Sequence, residues 1–202
     1  MYNEFGDFMK DISILFMGTP EFCVPILESL IDNYNVVGVV TQPDKETGRH
    51  KEVKFSPIKE CAIKHGILVM QPEKIRKDYE EILNRKPDLI VTCAYGQIIP
   101  KAILDCPKYG CINVHASLLP KYRGGAPMQS AIMNGDEKTG ITIMYMDENM
   151  DTGNIISMRE VPILKTDNLE DVHDKLSACG KELLLDTLPS ILNGTNESIK
   201  QN

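Results

Sequence analysis

The sequence predicts an α/β fold, a mostly parallel sheet with helices on both faces. Three observations predict it. Short apolar runs alternate with stretches of helical spacing, the pattern of parallel strands joined by helical crossovers. Two of those runs, N-V-V-G-V-V (35–40) and D-L-I-V-T-C-A (88–94), are almost continuously apolar, as strands covered on both faces are. Helix-start signals follow the runs, in Thr19-Pro20-Glu21 and in Ser56-Pro57.

The elements follow in order. D-I-S-I-L-F-M-G (11–18) reads as a buried strand. Thr19 as cap and Pro20 at the first helical position open a helix to about Ile31. The strand at 35–40 comes next. T-Q-P-D-K-E-T-G-R-H-K-E-V-K (41–54) is polar, charged and without period, and reads as a long loop. A helix over 56–65, a short strand in G-I-L-V-M and a helix over 78–85 lead to the strand at 88–94. I-L-D-C reads as a short helix, and G-C-I-N-V-H (110–115) as a strand. P-M-Q-S-A-I-M-N-G (127–135) is a helix stopped by Asn-Gly. T-G-I-T-I-M-Y-M (139–146) and N-I-I-S-M-R-E-V-P-I (154–163) are the last strands. The final helix starts at Asn168, with Leu169, Val172, Leu176, Cys179 and Leu183 at helical spacing.

The chain has 202 residues, 42% of them hydrophobic, which suits one domain of generous size. No apolar run approaches the roughly 20 residues that span a membrane. The first ten residues lack the order of a signal peptide and read as a disordered lead, a late start at Met9 or a cloning remnant. Six cysteines are scattered without a C-x-x-C pair, the usage of reduced core thiols in a cytoplasmic protein. A net charge of −7 argues against generic nucleic-acid binding and leaves room for a local basic site.

The chemistry concentrates in two stretches. Asn113 and His115 lie two apart on a strand end, so both point the same way. Ligands of parallel sheets bind outside the carboxyl ends of strands. His is the commonest general acid or base, and an Asn amide can donate to a developing oxyanion. A lone His is nonetheless more often structural. The second stretch is M-D-E-N-M-D-T-G (146–153). Its Asp147, Glu148 and Asp151 read either as solvated loop charges or as a carboxylate beside the imidazole. An Asn, His and Asp set suits attack by an amine on a carbonyl, and no metal is needed for it. His50, His65 and His173 fall in a loop and on helix surfaces. F-M-G-T-P-E-F holds one glycine, not the G-x-G-x-x-G of a dinucleotide site.

I-N-V-H-A-S-L-L-P-K-Y-R-G-G-A-P (112–127) together with D-E-N-M-D-T-G (147–153) resembles the folate-dependent formyltransferases. F-M-G-T-P-E-F-C-V-P, V-V-T-Q-P-D, S-P-I-K, V-M-Q-P-E-K, P-D-L-I-V-T-C-A-Y-G-Q-I-I-P and M-N-G-D-E-K-T-G-I-T-I-M-Y-M-D extend the resemblance from about Ile12 to Leu188. Within the family they look most like the branch that formylates methionyl-tRNA. The resemblance implies a Rossmann-like formyltransferase fold. It implies transfer of a formyl group from 10-formyltetrahydrofolate to the α-amino group of methionyl initiator tRNA, for translation initiation in the cytoplasm, by a monomer. Carried over by motif, Asn113, His115 and Asp151 are the catalytic set. Tyr95, Gly96, Gln97, Ile98 and Ile99, with Met146, Asp147 and Asn149, match the segments lining the pterin pocket. Ser117, Leu118, Leu119 and Pro120 match the turn lying against the folate. The family's loop after the second strand enters the acceptor end of the tRNA, which makes Lys45, Arg49, Lys51 and Lys54 its cations. Arg123 is placed to meet a phosphate or the methionyl ester.

The chain departs from the family in four ways. It has no Trp near Ser130, Asn154 replaces the usual acid, Lys121 stands for Arg, and the loop reads G-R-H-K-E. The catalytic domain is expected over 11–190, with 191–202 a polar tail or the start of a linker. Set against the family pattern, the C-terminal tRNA-binding barrel is expected to be absent from this chain. A sugar-nucleotide N-formyltransferase remains an alternative, as does a folate-binding module with little activity.

Overall fold

The computed structural model describes residues 4–202. The chain runs α1 (Glu4–Asp11), β1 (Ser13–Gly18), α2 (Val24–Asn33), β2 (Asn35–Val40), β3 (Lys45–Thr47), β4 (Glu52–Lys54), α3 (Pro57–Lys64) and β5 (Val69–Met70). It continues through α4 (Glu80–Asn84), β6 (Leu89–Cys93), α5 (Lys101–Leu104), β7 (Cys111–His115), α6 (Pro127–Met133), β8 (Lys138–Tyr145), β9 (Ile155–Pro162) and α7 (Leu169–Leu192). Seven strands form one sheet in the order β5-β2-β1-β6-β7-β8-β9. The pairs from β5 to β7 are parallel, and β8 and β9 join antiparallel. The expected mostly parallel sheet, with helices on both faces, is what the chain forms.

Period-two alternation divides the sheet's side chains between two cores. Ile14, Phe16, Val91, Ile112 and Val114 face one cluster, which α2, α3 and α7 close with Ile26, Leu27, Ile58, Leu176 and Leu184. Leu15, Met17, Ile90 and Cys111 face the other, with Ile82 from α4 and Ile103 and Leu104 from α5. On that second face the next positions after Cys111 are Asn113 and His115.

Three local expectations are corrected, and one segment gains a contact. Residues 4–11 form α1 instead of a disordered lead. Met9 packs on the first core, and Lys10 Nζ donates to Ile31 O, Asp32 O and Tyr34 O at 3.4, 3.1 and 3.4 Å, where α2 leaves carbonyls unpaired. Thr19 caps no helix: a short 3₁₀ turn over Glu21–Cys23 comes first and α2 starts at Val24. The Thr19 hydroxyl instead donates to Tyr95 O at 3.0 Å. The stretch 41–54 is not all loop, because β3 and β4 pair as a two-stranded hairpin within it. Beyond α7 the polar tail is anchored, since Ile199 pairs with Ile155 at the edge of the sheet.

Other signals hold as read. The Ser56 hydroxyl accepts from Lys59 N at 3.1 Å. Asn168 and Asp171 form a reciprocal capping box at the start of α7, a device worth about 1 kcal/mol. Cys23, Cys61, Cys93, Cys111 and Cys179 are buried as free thiols and Cys106 is exposed.

Candidate active site

Asn113 and His115 are both buried at the carboxyl end of β7. Thr92 pairs with Asn113 across β6 and β7, so its side chain shares the same face. Its Oγ1 donates to Asn113 Oδ1 at 2.9 Å. The Asp151 carboxylate on the other side of the amide only accepts, and that fixes which end is Oδ1. Asn113 Nδ2 is then turned to Asp151, with Oδ1 at 3.5 Å.

His115 is oriented by the same logic. Its Nε2 lies 2.9 Å from Tyr122 O, and a carbonyl only accepts, so Nε2 carries a proton. The opposite nitrogen, Nδ1, faces Asp151 Oδ2 at 3.7 Å. That is ion-pair reach and beyond hydrogen-bond reach. Asp151 Oδ2 also accepts from Gly124 N at 2.8 Å. The loops around the imidazole are tightly wound. Tyr122 and Asp151 are left-handed at φ 56° and 55°, and Gly124 has φ 96°. Gly153 is obligatory for a different reason: a Cβ there would overlap Tyr145 O.

These groups open on a cavity of about 610 Å³. Tyr95, Gly96, Gln97, Ile98, Ile99, Met146, Asp147 and Asn149 all line it, together with Asn113, His115 and Asp151. Ser117, Leu118, Leu119 and Pro120 do not line it. They form the support beneath the next loop: Thr142 Oγ1 donates to Ser117 O at 2.6 Å and accepts from Leu119 N at 3.1 Å. Ser117 Oγ donates to Lys121 O at 2.6 Å. Lys45, Arg49, Lys51 and Lys54 are exposed on the β3–β4 hairpin, outside the cavity wall. The exposed Arg123 guanidinium turns to the chain's own tail, where Nη2 lies 2.8 Å from Gln201 Oε1.

Sequence reasoning missed part of the wall. Phe22, Thr92, Met128, Gln129 and His173 also line the cavity. His173, expected on an open helix surface, packs edge-on against Phe22 with centroids 5.4 Å apart. Thr92 was findable, as the one hydroxyl in an apolar strand beside β7. Phe22 and His173 were not, because they are far apart in sequence and meet only when α7 docks.

A chain of amides ties the hairpin root to the cavity wall. Gln42 Nε2 donates to Tyr95 O at 3.1 Å, and Gln97 Nε2 donates to Gln42 Oε1 at 3.1 Å. Gln71 Nε2 donates to Gln42 O and to Asp44 Oδ1, at 3.1 and 2.8 Å. Lys59 Nζ closes the chain on Asp44 Oδ2 at 2.6 Å. The Lys59 ammonium first, and the Gln71 amide second, hold the Asp44 carboxyl below its ordinary value.

Away from the cavity, Glu28, Cys61 and His65 bring three possible metal donors within 4.8 Å of one another. None of the three belongs to the cavity wall.

The described groups can hold a flat, partly apolar molecule, present amide and imidazole donors to one point, and take up a proton beside a carboxylate. A profile described as formyl transferase matches residues 10–188. The methionyl-tRNA formyltransferase of Geobacillus sp. (strain WCH70) is 58% identical over 193 residues, covering 94% of this chain and 61% of that protein. The methionyl-tRNA formyltransferase of Bacillus subtilis (strain 168) is 58% identical over 191 residues, covering 93% and 60%. The chain thus spans about three fifths of the length of these relatives. Among solved structures, phosphoribosylglycinamide formyltransferase from Bacillus halodurans matches with a TM-score of 0.74 at 25% identity, over 89% of this chain and 95% of that one. WlaRD, a sugar 3N-formyl transferase crystallised with dTDP and 5-N-formyl-THF, matches with a TM-score of 0.70 at 23% identity, over 95% and 66%.

Proposed function

The chain belongs to the formyl transferase family, and from that premise we propose that it transfers a formyl group from 10-formyltetrahydrofolate to the α-amino group of methionyl initiator tRNA. In the same reading it works as a monomer in the cytoplasm, in translation initiation. The observation that carries the chemistry is the convergence of Asn113 and His115 on Asp151, at 3.5 and 3.7 Å, within one cavity. The choice of acceptor is supported by 58% identity to methionyl-tRNA formyltransferases.

The cavity fits the donor. Its volume of about 610 Å³ lies in the range of small-molecule pockets, which are mostly apolar with a few placed polar groups. The Tyr95–Ile99 segment with Met146, Asp147 and Asn149 holds the pterin. Ser117 to Pro120 carry the loop from behind. Bound there, the folate supplies an activated formyl carbon.

The chain's own groups do the rest. Asn113 Nδ2 is preset by Thr92 and donates to the oxygen that gains charge as the amine attacks. His115 presents Nδ1 to the same point, because Nε2 is committed to Tyr122 O. When Nδ1 is protonated it is a second donor to that oxygen. When Nδ1 is neutral its lone pair can receive the proton that the attacking amine sheds and return it to the folate N10 as the formyl carbon–N10 bond breaks. The hairpin cations Lys45, Arg49, Lys51 and Lys54 meet phosphates at the acceptor end, and Arg123 meets a phosphate or the methionyl ester with the guanidinium hydrogens that Gln201 does not take.

The test is transfer of labelled formyl from 10-formyltetrahydrofolate to methionylated initiator tRNA, with His115→Ala and Asn113→Ala alongside. His115→Ala abolishes transfer. Asn113→Ala slows it about 10²–10³-fold, or about 2.7–4 kcal/mol, the usual cost of one oxyanion donor. Normal turnover by His115→Ala overturns the catalytic assignment. Transfer to an amino-sugar nucleotide and none to tRNA overturns the acceptor.

A further inference from the structure

The tail beyond α7 folds back onto the loops that carry the site. Ile155 N donates to Ile199 O and Ile199 N to Ile155 O, each at 2.8 Å, which lays the tail along the edge strand. Asn196 Nδ2 donates to the Tyr145 hydroxyl at 2.8 Å. These anchors bring Gln201 between two loops.

Its amide is fully used. Nε2 donates to Asp151 O at 3.0 Å and to Gly153 O at 2.8 Å. Oε1 accepts from Arg123 Nε at 3.2 Å and from Arg123 Nη2 at 2.8 Å. An amide has two donor hydrogens and two acceptor lone pairs, so no capacity is left over. Arg123 precedes Gly124, whose N–H holds the Asp151 carboxylate. The bonds therefore close a ring that runs Asp151 carbonyl, Gln201, Arg123, Gly124, Asp151 carboxylate. The residue clamped at both ends is left-handed at φ 55°, a backbone that Asp tolerates better than most L-residues.

We propose that Gln201 is a positioning residue for the transfer reaction. It locks the Asp151 loop to the Arg123–Gly124 loop and so sets the Asp151 carboxylate against His115. The inference rests on the reading of Asp151 as the partner of His115 in formyl transfer.

The experiment compares the full chain with its Gln201→Ala and Gln201→Glu variants. It reads kcat and KM for 10-formyltetrahydrofolate with methionyl-tRNA, hydrogen exchange at the Gly124 amide, and the thermal midpoint. Gln201→Ala lowers kcat about tenfold, as sub-ångström misplacement of a reacting group does, with KM within about twofold and the midpoint unchanged. Gly124 exchanges faster as its carboxylate partner loosens. Gln201→Glu keeps the acceptor for Arg123 but turns a carboxylate on two carbonyls, so it shows the same loss. Wild-type kcat in either variant, or unchanged exchange at Gly124, overturns the proposal. So does a loss of kcat that tracks a fall in the thermal midpoint, since that marks a merely structural role. If the wild-type chain transfers nothing to methionyl-tRNA but formylates an amino-sugar nucleotide, the acceptor reading fails on its own. Gly124 exchange in Gln201→Ala then still decides the latch: faster sustains it, unchanged removes it.

Discussion

Gly124 and Gly125 stand side by side under different constraints. Gly124 has φ 96° and gives its N–H to Asp151, whereas Gly125 has no positive φ and a Cβ there would meet nothing within 4 Å. Gly124→Ala is therefore expected to cost about 1–2 kcal/mol of stability, the penalty for an L-residue held left-handed, and to slow transfer by displacing Asp151. Gly125→Ala should leave the melt within about 0.5 kcal/mol, as open surface changes do. Thermal melts and single-turnover rates of the two variants check this, and equal effects would contradict it. The pair Asn113 and His115 was legible from two-residue spacing alone, because a strand has no other way to present them. The hold on Asp151 was not legible. Its partners Gly124 and Gln201 lie 27 and 50 positions away, and nothing local announces them.

The β3–β4 hairpin is the element the sequence hid. Its strands are three residues each and exposed throughout, so no face is buried and no apolar alternation marks them. The register sets Lys45 directly opposite Lys54, and like charges so placed repel. A hairpin of this kind gains when phosphates arrive between its cations. On the proposed function, Arg49→Glu with Lys51→Glu weakens tRNA binding and flattens its salt dependence. Each phosphate that is no longer neutralised lowers the slope of log K against log salt by about 0.7–0.9. Folate affinity stays as it was, since neither side chain touches the cavity. Binding isotherms across a salt series read both quantities, and an unchanged slope would remove the hairpin from the interface. The longer elements were legible because each buries a stripe or a face. α1 was missed since, among the described residues, Met9 on the first core and Lys10 at the end of α2 are what tie it down, and neither marks a helix in sequence.

Across the whole molecule, two cores share one sheet. A buried phenol whose oxygen finds no partner among the described residues sits in each, Tyr34 on one face and Tyr95 on the other. Burial pushes both phenols up from 10.0 to about 12. Folded pKa values above the unfolded ones mean that this contribution to stability is complete below pH 10. It then falls as the unfolded chain deprotonates first, and is gone above about 12. Denaturant midpoints should decline through that window, and Tyr34→Phe should decline less. Identical curves for the two proteins would assign the decline elsewhere. The sheet's topology was legible because strand and helix alternate in sequence. The reversal after β7 was not, because antiparallel β8 and β9 carry no mark of direction in their residues. That reversal matters to the site. It sends the 146–154 loop back over β7, so that Asp151 arrives above the very strand that holds Asn113 and His115.

The ring through Gln201 also has a consequence in time. A chain is made from its first residue to its last, and domains begin to fold as they emerge. Every strand of the sheet, both loops of the ring and most of α7 are outside the ribosome before residue 201 is. Until residue 201 emerges, Gln201 cannot tie the Asp151 loop. On the proposed reading, Gln201 holds the Asp151 carboxylate against His115 only once residue 201 has emerged.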